Sequence, residues 1–337
     1  MVYKVDTDCV VYVYITPFNL IDEAMIIMNI AFYWSLFIHF FLFSYNSNKL
    51  VSLVEDINSK FVFKSDNKTE LLTMEDPVKF TDRMAFIWTI NIIIAVLTPI
   101  LSTLASGHIQ MPLPAWFPYD YQKSPMFEIS YIWQFYCAVC LGICYGVTDM
   151  IYPCIVILVG QQFQIVGSNL KNGFYYALLT WETEEFSRIN TLYLSKNVKH
   201  HLDLLQICEK VDDILSVFLM VKCAGQMFNV VFIAFSLITS GNSSAFFGLG
   251  TYIITASIML LLYNYSGEIL TQKADILWDL YETPWYLADI KFQKSFLLLQ
   301  MKLTQGVYTK AGHYFTLSAQ TFISNYRLIA LCLLPDT

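Results

Sequence analysis

Long apolar segments alternate with polar segments along the entire chain, and the length of the apolar ones predicts helices that cross a membrane. A membrane-spanning helix needs about 20 mainly apolar residues. Six segments meet this requirement, at about 24–43, 84–105, 129–160, 214–239, 246–266 and 311–334. Because no segment shows the repeated alternation of a membrane β-barrel, we predict an all-α, polytopic transmembrane helical bundle, formed as one domain by residues 1–337.

Lysine and arginine are unevenly distributed among the segments that join these helices. There are six in 44–83, one in 106–128, five in 161–213, none in 240–245 and five in 267–310. Loops rich in these residues stay in the cytosol. We therefore predict that the three basic segments are cytosolic and that the C-terminus lies outside the cell.

The basic segment 161–213 also carries a helical pattern. Between residues 192 and 211, apolar side chains recur at helical spacing opposite a polar face, which is typical of an amphipathic helix. One interpretation is a helix that extends below the membrane. The other is a helix that lies along the membrane surface without a protein partner.

The composition excludes most soluble classes of protein. Hydrophobic residues make up 56% of the chain and charged residues 14%, and the mean hydropathy is +0.50. A typical soluble domain has about 25% charged residues. No phosphate-binding loop, nucleotide fingerprint or hydrolase motif occurs. We therefore expect no enzyme activity, no cofactor and no nucleic-acid partner, with membrane lipid as the surroundings.

The predicted span at 129–160 contains the residues with candidate chemistry. Cys137, Cys140 and Cys144 lie at i, i+3 and i+7 in an apolar segment, which favours helix packing over a disulfide or a metal site. Asp149 lies about 30 Å from the outer end of the span at the helical rise. Since the hydrocarbon core is about 30 Å thick, we expect a hydrated carboxylate at the cytosolic boundary rather than a buried proton relay.

The last predicted span has a polar face. Tyr314, Ser318, Thr321 and Asn325 follow one another at i, i+4, i+7 and i+11, which places them on one side of a helix. Polar groups in hydrocarbon need partners. These side chains therefore form hydrogen bonds to other helices of the same subunit or line a water-filled path between subunits, and their spacing leaves both interpretations open.

Several segments resemble one family of membrane proteins. The C-terminal ones read YETPW at 281–285, FQKSFL at 292–297 and AGHYFTLSAQTF at 311–322, in the order and spacing of the signature of insect odorant receptors. The segment LPAWFP at 113–118 is similar to an outer loop of that family. The resemblance extends over about residues 20–324, and the shorter matches are Thr148, Asp149, His201, Leu204, Leu205, Gly267 and Glu268.

This resemblance implies an assembly and a location. The family forms ligand-gated channels, so we expect an odorant receptor subunit in a tetramer with the family's co-receptor, in the plasma membrane of olfactory sensory neurons. The family has seven spans and a cytosolic N-terminus, so this chain is expected to lack most of the first span. The resemblance also implies a cytosolic subunit interface that includes Tyr281, Trp285, Phe292 and Lys294.

The resemblance favours a pore function for the last span, because that helix lines the channel in odorant receptors. Tyr314, Ser318, Thr321 and Asn325 are then the expected pore-lining residues. After Ser324 the chain departs from the family pattern. Arg327 falls within the span and Pro335 falls near the expected apolar gate, so we expect an altered end of the pore.

The outer halves of the spans are the expected ligand site. Their side chains are apolar or aromatic with a few hydroxyl groups, which suits a small, volatile, weakly polar molecule held by dispersion and one hydrogen bond. For each residue, ordinary helix packing is the alternative. The candidates are Met28, Phe32, Ile94, Thr98, Tyr131, Phe135, Phe247 and Tyr252.

The expected function is thus an odorant-gated cation channel subunit. A gustatory-type receptor channel and a non-conducting, truncated odorant receptor isoform are the alternatives. A G-protein-coupled receptor requires a cytosolic C-terminus, which the charge pattern does not predict. A secondary transporter requires paired interrupted helices and internal repeats, and the sequence shows neither.

Overall fold

The structure is a computed structural model, and most of what it describes is helical. The described residues are 20–61, 68–105, 111, 117–120, 123–179, 184–240, 243–287, 290–312 and 314–333. The helices are α1 (Leu20–Tyr45), α2 (Ser47–Lys60), α3 (Lys68–Ala105), α4 (Met126–Leu179), α5 (Glu184–Ser240), α6 (Ser243–Ala274), α7 (Leu277–Tyr281), α8 (Ile290–Leu303) and α9 (Ala319–Leu333). The predicted all-α bundle is confirmed.

Two short elements interrupt the helical pattern near the C-terminus. A turn of 3-10 helix, Trp285–Leu287, follows α7. Strands β1 (Lys310–Ala311) and β2 (Phe315–Thr316) form an antiparallel hairpin between α8 and α9. In this hairpin Lys310 pairs with Thr316 and Ala311 with Phe315.

Several helices are long enough to cross a membrane. The segments with sufficient length and apolar content are Glu75–Thr98, Met126–Gly173, Leu192–Phe235 and Gly250–Tyr281. They overlap the predicted spans at 84–105, 129–160, 214–239 and 246–266. α1 contains the predicted span at 24–43, of which Trp34–Tyr45 is a shorter described apolar helix. The helical membrane bundle is therefore confirmed, whereas the count of six spans stays a prediction.

The last helix begins later than the apolar pattern predicted. Residues 310–311 and 315–316 form the strands of the hairpin, and α9 starts at Ala319 rather than near 311. Gly312 has a φ of 63°, a left-handed conformation that ends regular helix. The Leu317 backbone N–H donates to the Thr309 carbonyl at 3.0 Å. The predicted start is corrected because backbone pairing, rather than hydrophobicity, determines the conformation here.

α4 and α5 are much longer than a membrane is thick. They contain 54 and 57 residues, which corresponds to about 80 Å each at 1.5 Å per residue, against about 30 Å of hydrocarbon. The amphipathic segment at 192–211 is a continuous part of α5. The predicted helix extension is therefore present, and its cytosolic side stays a prediction.

α4 and α5 also form the centre of the bundle. α4 packs against α3, α5 and α6, and α5 also packs against α1 and α2. Gly160 permits the close approach of α4 to α6, since a Cβ at this position would lie 3.3 Å from the Leu270 Cα. The core between these helices includes the buried side chains of Phe163, Leu204 and Phe218.

Ion pairs attach α2 to the side of α5. Lys210 pairs with Asp56, and Lys60 pairs with Asp203 at 3.5 Å. The Lys210 ammonium donates a hydrogen bond to Asp56, which holds the pKa of that carboxyl below its usual value. Leu53 and Ile57 complete the contact with buried apolar side chains.

Candidate functional site

A buried ion pair joins α4 to α5. The Asp149 carboxylate pairs with the Lys222 ammonium, and the two side chains are 0% and 1% exposed. The Tyr263 hydroxyl on α6 donates to Asp149 Oδ1 at 3.2 Å. One carboxylate therefore connects three of the long helices.

Aromatic rings surround the cation. The Lys222 Nζ lies 3.1 Å from the centroid of the Tyr145 ring, a cation–π arrangement that stabilises a desolvated ammonium. Gln226 Nε2 donates to the Tyr145 hydroxyl at 2.6 Å. The buried His39 on α1 completes the cluster, with its ring centroid 6.5 Å from that of Tyr145.

The predicted environment of Asp149 is therefore wrong. A hydrated carboxylate at the membrane boundary was expected, but the side chain is fully buried and paired. The partner that neutralises it lies on another helix, within the predicted span at 214–239. The lysine in that apolar segment was the available signal, because charges inside membrane helices usually pair with one another.

The hairpin between α8 and α9 is bonded to α5 through its backbone. The Gly312 N–H donates to the Ser216 carbonyl at 2.9 Å, and the Lys310 N–H donates to Asp212 Oδ1 at 3.3 Å. The left-handed Gly312 packs so closely on Met220 that a Cβ there would overlap the thioether. Any other residue here would have to adopt a left-handed conformation and displace the Met220 side chain.

α6 and α4 also form hydrogen bonds with the segment that contains the hairpin and leads into α9. The Thr271 hydroxyl donates to the Val307 carbonyl at 3.1 Å, and the Ala319 N–H donates to Glu268 Oε2 at 3.3 Å. The Tyr152 hydroxyl on α4 lies 2.7 Å from Thr309 Oγ1 in a buried hydrogen bond. The residues that lead into α9 are thus fixed to the three helices that share the ion pair.

The predicted pore-lining residues do not all lie on one helical face. Tyr314 is in the turn of the hairpin and 84% exposed. Ser318 precedes α9 and caps it, because its Oγ accepts from the Thr321 N–H at 3.2 Å. Thr321 and Asn325 are one turn apart on α9 and half-buried. The single-face prediction is corrected by the later helix start, and a pore-lining role for the four residues stays a prediction.

The predicted ligand residues occupy different environments. Ile94 and Phe135 are exposed on the isolated subunit, whereas Thr98, Tyr131 and Tyr252 are half-buried. The Thr98 hydroxyl donates to the Ile94 carbonyl within α3 at 2.7 Å. The side chains of Met28, Phe32 and Phe247 lie outside the described residues. Contact of this set with a ligand stays a prediction.

An exposed apolar surface surrounds the predicted subunit-interface residues. We name it the aromatic surface, and its members are 58–71% exposed: Trp278, Tyr281, Tyr286, Leu287 and Ile290. Lys294 is also exposed, whereas Trp285 is half-buried. Phe292 is buried, with its ring 6.1 Å from that of Phe296. The interface role of Tyr281, Trp285, Phe292 and Lys294 stays a prediction.

We predict that the two buried charges depend on each other for stability. Replacing one partner, as Asp149→Asn or Lys222→Met, should lower the melting temperature strongly, because an unpaired buried charge costs about 3–5 kcal/mol. The double variant should recover much of this loss. Thermal unfolding of the purified protein in detergent measures the effect, with the exposed Lys294→Met as the control. A double variant that loses the sum of both single losses would contradict the pairing.

Comparison with known proteins identifies the family. A family profile described as 7tm Odorant receptor matches residues 9–329. Odorant receptor 83a of Drosophila melanogaster is 18% identical over 332 residues, which cover 83% of this chain and 73% of that protein. Odorant receptor 82a of the same organism is 22% identical over 222 residues, which cover 64% of this chain and 54% of that protein.

A solved structure has the same fold. The insect olfactory receptor OR5 from Machilis hrabei, in complex with eugenol, is similar with a TM-score of 0.84 and 13% identity. The likeness covers 98% of this chain and 85% of that one. Because the family profile matches nearly all of the sequence, this chain belongs to the odorant receptor family.

Proposed function

We propose that this chain is the odorant-binding subunit of a cation channel that it forms with the family's co-receptor. Membership of the odorant receptor family, over residues 9–329, is the observation that carries the proposal. The fold of the Machilis receptor, which was determined with eugenol, supports a small volatile ligand. The ligand would bind among the outer halves of the long helices and shift the gate of α9 from closed to open.

The aromatic surface supports assembly with other subunits. Lys171 lies about 68 Å along α4 from Met126 at the helical rise, and its ammonium is 3.7 Å from Asp279 on α7. A membrane core of about 30 Å is too thin to enclose both Met126 and Lys171. If α4 enters the membrane near Met126, α7 lies in water, where a group of exposed apolar side chains marks a site of protein contact.

The distribution of lysine and arginine supports the orientation. With basic loops in the cytosol, the aromatic surface faces the cytosol and residue 337 faces outside. The proposed location is the plasma membrane of olfactory sensory neurons. Membrane lipid then covers the exposed apolar side chains of the spans, such as Phe86 and Ile87 on α3.

A non-conducting member of the family is the second candidate. Arg327 is exposed on α9, between apolar neighbours. An arginine at the centre of a membrane helix costs about 2.5–3.5 kcal/mol on insertion scales unless it reaches water. This charge favours either a path with water beside α9 or a subunit that does not conduct.

We predict that odorants evoke a cation current when this chain and an insect co-receptor are expressed together. The measurement is whole-cell current during application of an odorant panel that includes eugenol. Cells with either subunit alone provide the background. A current above both backgrounds supports the channel proposal. Surface-expressed chain that adds no odorant-dependent current would instead favour the non-conducting candidate.

We predict that α9 lines the conducting path on the face that contains Thr321 and Asn325. A charged methanethiosulfonate reagent should reduce the current of Thr321→Cys and Asn325→Cys by about half or more, because the modified side chain obstructs the ion path. The matched control is Ile323→Cys, on the opposite face of the same helix. Equal inhibition of all three variants, or of the unmodified chain, would contradict this assignment.

We predict that the aromatic surface is covered by a neighbouring subunit. Trp278→Ser with Tyr286→Ser should reduce co-purification of this chain with the co-receptor several-fold, since large aromatic side chains dominate interface energies. The matched control is Phe86→Ser with Ile87→Ser, which changes exposed apolar residues of a span. The control should retain more co-receptor than the surface variant. The opposite ranking would show that the interface lies elsewhere.

A further inference from the structure

Tyr152 on α4 lies between the buried ion pair and the hairpin that leads into α9. Its side chain is 1% exposed, and its hydroxyl lies 2.7 Å from Thr309 Oγ1. Its ring packs edge-on against Tyr263, with 5.8 Å between the centroids. Because Tyr263 also donates to Asp149, an unbroken series of contacts connects the ion pair with Thr309.

Thr309 is placed to transmit a displacement to both sides of the hairpin. It immediately precedes β1, and its carbonyl accepts the Leu317 N–H at 3.0 Å. Leu317 lies two residues before α9 and packs closely on Gly267, where a Cβ would be 2.9 Å from the Leu317 Cβ. Thr309 is thus bonded to a residue that leads directly into α9.

α9 has few buried side chains among those that the structure describes. Of its side chains that the structure describes, Ile329 is buried, in a small cluster with Val230 and Ala256. Ile323 and Leu328 are more than half exposed, at 51% and 54%. α9 itself packs against α5 and α6, whereas the hairpin before it is hydrogen-bonded to α4, α5 and α6.

We propose that Tyr152 is a positioning residue that couples the helical bundle to α9 through its hydrogen bond with Thr309. The bond is present in one state of the gate and broken in the other. Removing it therefore changes the equilibrium between the states, because the bond stabilises only the state in which it is formed. This inference rests on the proposed function, in which α9 carries the gate.

The coupling is tested by Tyr152→Phe, Thr309→Val and the double variant, each expressed with the co-receptor. The measurements are the odorant concentration for half-maximal current, the basal current and the amount of receptor at the surface. Each single change should shift the half-maximal concentration in the same direction by about three- to tenfold. The double variant should shift it no further than Tyr152→Phe, because both changes remove the same bond.

Two matched controls separate coupling from general effects of these substitutions. Tyr265→Phe removes a hydroxyl from an exposed side chain of α6. Thr255→Val removes a hydroxyl that donates to the Thr251 carbonyl within α6. Both controls should keep the half-maximal concentration of the unmodified receptor.

The outcomes distinguish this inference from the proposed function. An unmodified receptor without odorant current would overturn the function and the coupling with it. If the unmodified receptor responds, unchanged half-maximal concentrations in Tyr152→Phe and Thr309→Val would overturn the coupling alone. Additive shifts, or a loss of surface receptor with unchanged half-maximal concentration, would likewise assign Tyr152 a structural role only.

Discussion

The ion pair between Asp149 and Lys222 fixes the register of α4 against α5, because a charge in the interior is tolerated only beside its partner. A slide by one helical turn, about 5.4 Å, would separate the charges, whereas apolar side chains alone could repack. Tyr263 extends this constraint to α6, since its hydroxyl donates to the same carboxylate. α4, α5 and α6 therefore have one mutual arrangement that keeps both charges neutralised.

The same three helices hold the hairpin before α9. The Ser216 carbonyl on α5 accepts the Gly312 N–H of the hairpin. The Thr271 hydroxyl on α6 donates to the Val307 carbonyl just before it, and the Tyr152 hydroxyl on α4 is hydrogen-bonded to Thr309. α9 itself packs against α5 and α6 and has few buried side chains among those that the structure describes. This arrangement suits the gating role proposed for α9, because a movement of α4, α5 and α6 relative to one another would displace the hairpin that leads into α9.

Exposed apolar side chains lead to different conclusions in lipid and in water. Phe86 and Ile87 on α3 are exposed on a helix of membrane-spanning length, where lipid is a suitable neighbour and no protein partner is required. The aromatic surface lies near Lys171, far along a helix of about 80 Å. If α4 enters the membrane near Met126, as proposed, this surface lies in water, which is an unfavourable neighbour, and the same degree of exposure then supports the proposed assembly with another subunit.

The sequence by itself determined the fold class, the long apolar helices and the family signature. Each of these can be recognised from residues that are neighbours in the sequence. Membrane helices satisfy their own backbone, so their apolar length is sufficient to reveal them. The contacts of the site join residues that are distant in the sequence. Tyr152 and Thr309 are 157 residues apart, and Tyr263 and Asp149 are 114 residues apart. Each of these residues alone is an ordinary component of its segment. Only the tertiary structure decided that Asp149 is buried with Lys222 and that Gly312 turns a hairpin, because both depend on groups that are distant in the sequence: the Lys222 ammonium for Asp149 and the Ser216 carbonyl for Gly312.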